Sequence, residues 1–75
     1  MVQFTLARSD NVVLTVYDVG GRKLRTVLRG NSSPGIHVAR WDGRTERGVR
    51  AAPGVYVLEL RAGGVRATQR FAIVP

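Results

Sequence analysis

The segment WDGRTERGVRAAPGVY, residues 41–56, separates two stretches of strand-like sequence and carries several turn signals. Asp42-Gly43 favours a turn because aspartate caps its own backbone and glycine accepts a positive φ. Gly48 supplies a second turn, and Pro53-Gly54 fits the centre of a type II turn just before a strand. We predict a structured connection between two strands, with the large Trp41 ring holding its base against the core.

Outside this connection, apolar and polar residues alternate with the period of two that is typical of half-buried strands. Val12, Leu14 and Val16 share one face of the second strand in the chain. The opposite face of a later strand carries Glu59 and Arg61. The other apolar sets that we predict to face inward are Val2, Phe4 and Leu6, then Tyr56, Leu58 and Leu60, then Val65, Ala67, Phe71 and Ile73.

Two further strands have a less certain phase. In RKLRTVLRG, Leu24 and Leu28 share a face but Val27 does not, so we expect a bulge or an edge position. In GIHVARW, residues 35–41, the face that begins with Ile36 and the face that begins with His37 are both possible inner faces.

Glycine-rich turns join these strands at short intervals. DVGGR at 18–22 and AGG at 62–64 predict tight hairpins, and RGNSSPG at 29–35 predicts a longer loop,. No window of 11 or more residues shows a helical stripe. Six or seven short strands with regular turns indicate an all-β fold, either a β-sandwich or a small barrel.

The length and composition exclude several classes of protein. The chain has 75 residues, which allows one small domain spanning 1–75, and no cysteine, which excludes a disulfide framework,. No apolar run approaches the ~20 residues that cross a bilayer. The N-terminus lacks the pattern of a signal peptide. If the domain is exported, we therefore expect it to belong to a longer precursor.

Catalytic and metal chemistry has little support. The five acidic residues do not pair at a useful strand spacing, and the serines lie in polar loops without a nearby base,. His37 is the only histidine, and we expect it to pack or to form a hydrogen bond rather than to bind a metal,. GGRKLR at 20–25 lacks the spacing and the helix of a phosphate-binding loop,. We predict no enzyme activity, no cofactor and no metal site.

The net charge is +7, and nearly all of the positive charge is arginine. A solvated surface, a polyanion-binding face and a specific protein contact are the alternatives. We do not expect nucleic acid as a partner, because single-strand binders interleave aromatic residues with basic ones. An anionic cell-surface glycan is the alternative polyanion. The arginines concerned are Arg22, Arg25, Arg29, Arg40, Arg44, Arg47, Arg50, Arg61, Arg66 and Arg70.

Taken in order, these motifs resemble the Ig-like domain first named from the bacterial flagellar hook-capping protein. The shared pattern is V-x-L-x-V-Y-D-x-x-G-R, then G-x-H, then W-D-G, then G-x-x-x-x-x-G-V-Y, and it covers nearly the whole chain. The resemblance implies an Ig-like β-sandwich of about seven short antiparallel strands. The structural motif residues that it implies are Tyr17, Asp18, Gly21, Trp41, Asp42, Gly43, Gly54 and Tyr56.

The last two strands are also similar to the C-terminal sorting domains of the type IX secretion system. PGVYVLEL and TQRFAIVP match a Gly-x-Tyr strand followed by a terminal strand with a basic residue and an apolar run. Many such domains have lysine at the position of Arg70, and many end in a basic residue, whereas this chain ends in Val74-Pro75. The sorting or recognition residues implied are Gly54, Tyr56, Arg70, Phe71, Ala72, Ile73 and Val74.

These resemblances imply a non-catalytic C-terminal module of a larger exported bacterial protein, secreted or held at the cell surface. The module would act in type IX sorting or cell attachment, and its partner would be a protein of the secretion machinery or the surface. A homodimer through sheet edges is also possible. The alternatives are an assembly module as in the hook cap and a polysaccharide-contacting accessory domain of a secreted hydrolase.

Overall fold

The computed structural model describes residues 2–75, and these form six β-strands in two antiparallel sheets, without a helix. One sheet pairs β1 with β4, and the other has the strand order β3-β2-β5-β6. The predicted all-β sandwich is confirmed, with six strands where the sequence suggested about seven. The strands are β1 Val2–Leu6, β2 Asp10–Asp18, β3 Lys23–Ser32, β4 Gly35–Ala39, β5 Gly54–Ala62 and β6 Val65–Ile73.

The core lies between the two sheets and is centred on β2. Val12, Leu14 and Val16 have no exposed surface, as the alternation predicted. Around Val12, the side chains of Phe4 and Leu6 form one apolar cluster with the far ends of β3 and β5. Around Val16, a second cluster contains the aromatic residues of the 41–56 connection. Burial of these faces is the main source of stability in a chain without cross-links.

Strand β4 turns its His37 face inward, which the sequence left open. β1 pairs with β4 so that Phe4 lies opposite His37. The two rings stack with centroids 5.3 Å apart, and His37 Nε2 donates a hydrogen bond to the Ser33 carbonyl at 2.6 Å. Ile36 and Val38 consequently point outward, with 68% and 54% of their surface exposed.

Strand β3 has both of the features that its irregular phase predicted. It lies at the edge of the four-stranded sheet, and its pairing with β2 shifts register twice. The shifts leave Val27 and Leu24 as the extra residues, and both pack against the second cluster. A bulge re-aims a side chain by breaking the alternation, so two residues of opposite phase reach the same core. The strand also extends to Ser32, which the sequence placed in a loop.

Strand β6 is less buried than its sequence pattern suggested. Phe71 and Ile73 pack against the second cluster, but residues 65–70 are exposed, and Val65 keeps 69% of its surface. The opposite sheet has only two strands and does not cover this part of β6. A cavity of about 240 Å³ lies between the sheets, with Leu58 and exposed Gln69 among its lining residues.

Both predicted hairpins are present. In the first, the amide of Gly21 donates to the Asp18 carbonyl at 3.1 Å, and Gly21 has a φ of 87°. A three-residue loop of this kind needs a left-handed residue before the next strand, which glycine supplies without strain. The second hairpin turns through Gly63 and Gly64 between the paired residues Ala62 and Val65.

Candidate functional site

The 41–56 connection is fixed to the core by its aromatic residues. Trp41 packs edge-on against Tyr56 and Phe71, with ring centroids 6.3 and 6.0 Å away. Its indole Nε1–H donates to the Arg44 carbonyl at 2.9 Å. An indole has a large apolar body and one donor, so it can pack in the core and hold a loop at the same time. Trp41 therefore joins the base of the loop to β5 and β6.

Tyr56 closes the other end of the connection. Only 8% of the surface of Tyr56 is exposed, and its hydroxyl donates to the Ala52 carbonyl four residues upstream. A tyrosine that bonds back to the preceding backbone in this way is the tyrosine corner of Greek-key sandwiches. Gly54 begins β5 with a φ of 155°, so Pro53 forms a bend there rather than the predicted type II turn.

Replacing Tyr56 with phenylalanine should lower the free energy of unfolding by about 1–2 kcal/mol, because the ring stays and the Ala52 carbonyl loses its donor,. Urea unfolding followed by circular dichroism measures this difference. Tyr17→Phe is the matched control, since Tyr17 is half-buried on the outer face of the four-stranded sheet. Equal losses in the two variants would contradict the corner role.

The loop itself is held by Asp42 and Gly43. The Asp42 carboxylate accepts the Arg44 amide at 3.0 Å, as a turn-capping aspartate does,. Gly43, with a φ of 78°, accepts the Ala51 amide on its carbonyl at 2.8 Å. These two residues shape the loop and leave its charged side chains at the surface.

Glu46 in the same loop covers part of the β3 edge. Its amide donates to the Leu24 carbonyl at 3.0 Å, and its carboxylate accepts the Thr26 amide at 2.7 Å. An unpaired edge strand otherwise presents free backbone N–H and C=O groups that can pair with a strand of another chain. The sequence alone does not reveal this role, because the two segments are 20 residues apart and only the fold brings them together.

The opposite edge of the four-stranded sheet is open. β6 pairs with β5 from Val65 to Ile73 without a bulge, and within residues 2–75 no strand pairs with its other side. A two-residue hairpin closes with a hydrogen-bonded pair, here Ala62 and Val65, and bonded pairs then alternate along the ladder,. The even-numbered residues of β6 therefore direct their N–H and C=O groups to the open edge.

A family model described as the FlgD Ig-like domain matches residues 1–64. The chain belongs to the FlgD Ig-like domain family. The match covers β1 to β5 and ends just before β6. Neither the curated proteins nor the solved structures contain a match. This family is structural and non-enzymatic, so the chain is a structural Ig-like module.

The outer face of this FlgD Ig-like domain carries a buried carboxylate between arginines. Glu59 is 5% exposed, although the alternation placed it on a solvated face. Arg61 Nε lies 3.0 Å from its Oε1, and Arg66 Nε lies 2.7 Å from its Oε2. Both arginines are exposed, so their side chains cover the carboxylate while reaching solvent,. The β5–β6 register, which sequence alternation does not reveal, brings Glu59 and Arg66 together.

Further along the same face, Arg70 lies opposite Val57 and close to the open edge. Among residues 2–75 no acidic group forms an ion pair with Arg70. Its neighbour Phe71 points the other way, into the second cluster, and so does Ile73. The terminal-strand residues singled out in the sequence thus divide in two, with Arg70 at the surface and the apolar pair in the core. Ala72 and Val74 are exposed.

The remaining motif residues have local structural positions. Asp18 accepts the Arg22 amide at 2.9 Å and forms an ion pair with its Nε at 3.3 Å, which closes the first hairpin. Within residues 2–75, no group of three or more histidine, cysteine or acidic residues is placed to hold a metal ion. Over the same range, no helix has the length and apolar character to span a bilayer.

Proposed function

We propose that this domain is a non-catalytic export or attachment module that is recognised through its last strand. In this role it acts in type IX sorting, or in attachment of a secreted protein to the cell surface. The open edge of β6, with Arg70 exposed beside it, is the observation that carries the proposal. Backbone groups on an open edge give affinity to an added strand, and side chains next to the edge give specificity.

The partner in this proposal is a protein of the secretion machinery or of the cell surface. An anionic glycan is a possible second contact, because Arg29, Arg61 and Arg66 share the outer face with Arg70. Such a contact would weaken steeply with salt. Binding of the domain to outer-membrane vesicles at two ionic strengths tests it, and binding without salt dependence would exclude the glycan contact.

The main experiment transfers the domain to a reporter. Residues 1–75 are fused behind a signal peptide and a reporter enzyme in a bacterium with a type IX system, and reporter activity is measured on intact cells. Truncation of β6 is a poor control because Phe71 packs against Trp41 and Tyr56. Thr68→Pro is preferable, since it removes one N–H from the open edge and none from the β5 ladder.

We expect the unchanged fusion to reach the cell surface and the Thr68→Pro fusion to accumulate in the periplasm as a folded protein. Arg70→Glu should reduce surface activity as well. Retention of the unchanged, folded fusion in the periplasm would reject the sorting role.

Retention of the folded fusion in the periplasm would favour an assembly module, which the family match supports as a second candidate. The resemblance to the hook-cap domain implies packing with other subunits, and the surfaces used would then be sheet faces and edges. Cross-linking of the parent protein in its native cells, followed by peptide mapping, would show whether copies of this domain contact one another.

A further inference from the structure

We propose that the open edge of β6 binds an extended acidic segment of a partner protein, in which acidic and apolar residues alternate. This inference rests on the proposed function, because it gives the chemistry of the partner that recognises the same strand. Three independent features of the edge lead to it, namely its backbone groups, its outer side chains and its inner side chains.

The backbone supplies the docking groups. Arg66, Thr68 and Arg70 direct their N–H and C=O groups away from β5, by the alternation described above,. The opposite edge of the same sheet is interrupted at Leu24 and Thr26 by Glu46. A strand adding to this sheet therefore finds the longer uninterrupted row of free groups at β6.

The outer side chains next to the edge are basic. Arg66 and Arg70 project to the same face of the sheet, four register positions apart, with Thr68 between them on that face. The nearest acidic group, Glu59, already contacts Arg61 and Arg66. Opposite charges on directly facing residues stabilise a strand pair, so an added strand with glutamate or aspartate on this face is preferred.

The inner side chains next to the edge are small, apolar or uncharged. Val65, Ala67 and Gln69 face the second sheet but are exposed, because that sheet has only two strands. Gln69 also lines the 240 Å³ cavity between the sheets, together with Leu58 and Trp41. The residues that alternate with the acidic ones would face this uncovered region, where apolar side chains bury surface favourably.

A second copy of this chain does not have the required chemistry. An antiparallel pairing of β6 with β6 of another copy, with outer faces continuous, would gather Arg66 and Arg70 of both copies on one strip. Like charges on facing strands are destabilising. The chain has five acidic residues against twelve basic ones, and none of the acidic residues lies in β6. Charge complementarity therefore selects a different, acidic polypeptide.

The purified domain is titrated with synthetic nine-residue peptides. One peptide alternates glutamate and valine, one alternates lysine and valine, and one has the glutamates and valines in two separate blocks. Emission of Trp41, the only tryptophan, reports binding near the cavity. Amide exchange measured by NMR reports protection at Arg66, Thr68 and Arg70.

We expect the alternating acidic peptide to bind more tightly than the other two, with affinity that falls as salt is added. Arg70→Glu should weaken it by about tenfold, as expected for reversing one facing charge. Arg29→Glu is the matched control, because it makes the same charge change on β3 at the far edge. Thr68→Pro should abolish peptide binding. The Thr68→Pro domain should nevertheless unfold at the same urea concentration as the unchanged domain.

Equal binding of the acidic and basic peptides would overturn the inference, and so would binding that survives Thr68→Pro. Absence of binding by all three peptides would also overturn it and would indicate that Arg66 and Arg70 protect the edge from pairing. Self-association in analytical ultracentrifugation that Thr68→Pro abolishes would show that a second copy is the occupant.

The reporter assay separates this inference from the proposed function. Surface display that Thr68→Pro abolishes, without any peptide binding, would retain the sorting role and reject the acidic strand. Binding of the acidic peptide by a domain whose reporter stays in the periplasm would retain the acidic strand and reject the sorting role.

Discussion

Replacing Trp41 with alanine should lower the free energy of unfolding by about 3 kcal/mol, near the lower end of the usual cost of removing a large aromatic residue from a core. The variant loses the edge-on contacts with Tyr56 and Phe71 and the hydrogen bond to the Arg44 carbonyl. Trp41 is half-buried rather than fully buried, which keeps the expected cost from being larger.

The same substitution should also open the edge of β3. Glu46 lies in the connection that Trp41 anchors, and its carboxylate holds the Thr26 amide. Urea unfolding by circular dichroism measures the stability, and hydrogen exchange at Thr26 measures the state of the edge. Trp41→Phe is the control, because it keeps an aromatic ring but not the indole donor. Unchanged exchange at Thr26 in Trp41→Ala would contradict the coupling between anchor and edge.

Leu14→Ala should cost about 3–4 kcal/mol of stability, within the range seen for fully buried leucines. Leu14 has no exposed surface and lies on the central strand β2. It also lines the cavity between the sheets, so the removed volume joins space that is already poorly filled. A domain of this length has roughly 4–11 kcal/mol of stability in total, so Leu14→Ala should remove a large share of it.

Chemical unfolding at 25 °C tests this expectation. Val13→Ala is the matched control on the next residue, since Val13 is half-buried on the other face of the same strand. We expect its cost to be about 1 kcal/mol or less. A Leu14→Ala domain as stable as Val13→Ala would mean that the sandwich collapses around the lost side chain.

The alternation of apolar and polar residues predicted the inner face of a strand wherever one face is clearly more apolar than the other. The inner faces of β1, β2 and β5 could be predicted because each strand buries one side against the opposite sheet,. For β4 the alternation did not identify the inner face. Ile36 and Val38 are more apolar than His37, yet the pairing of His37 with Phe4 turns them outward.

The candidate site was only partly predictable, for a related reason. The hairpin glycines shape local turns, and the hydrogen bonds of Trp41 and Tyr56 reach residues only three or four positions away, so these roles can be predicted from local sequence. Glu46 and Glu59 act through backbone or side chains of other strands, at positions that only the sheet register defines. The open edge of β6 depends on strand order, which a single sequence with six similar strands does not specify.

The difference between the two edges of the four-stranded sheet limits how many strands one domain can accept. Glu46 interrupts one edge, and β6 leaves the other free. A further strand adding at β3 would have to displace Glu46 from Leu24 and Thr26. The four-stranded sheet therefore offers one continuous edge for strand addition, and this disfavours growth of copies edge to edge through this sheet.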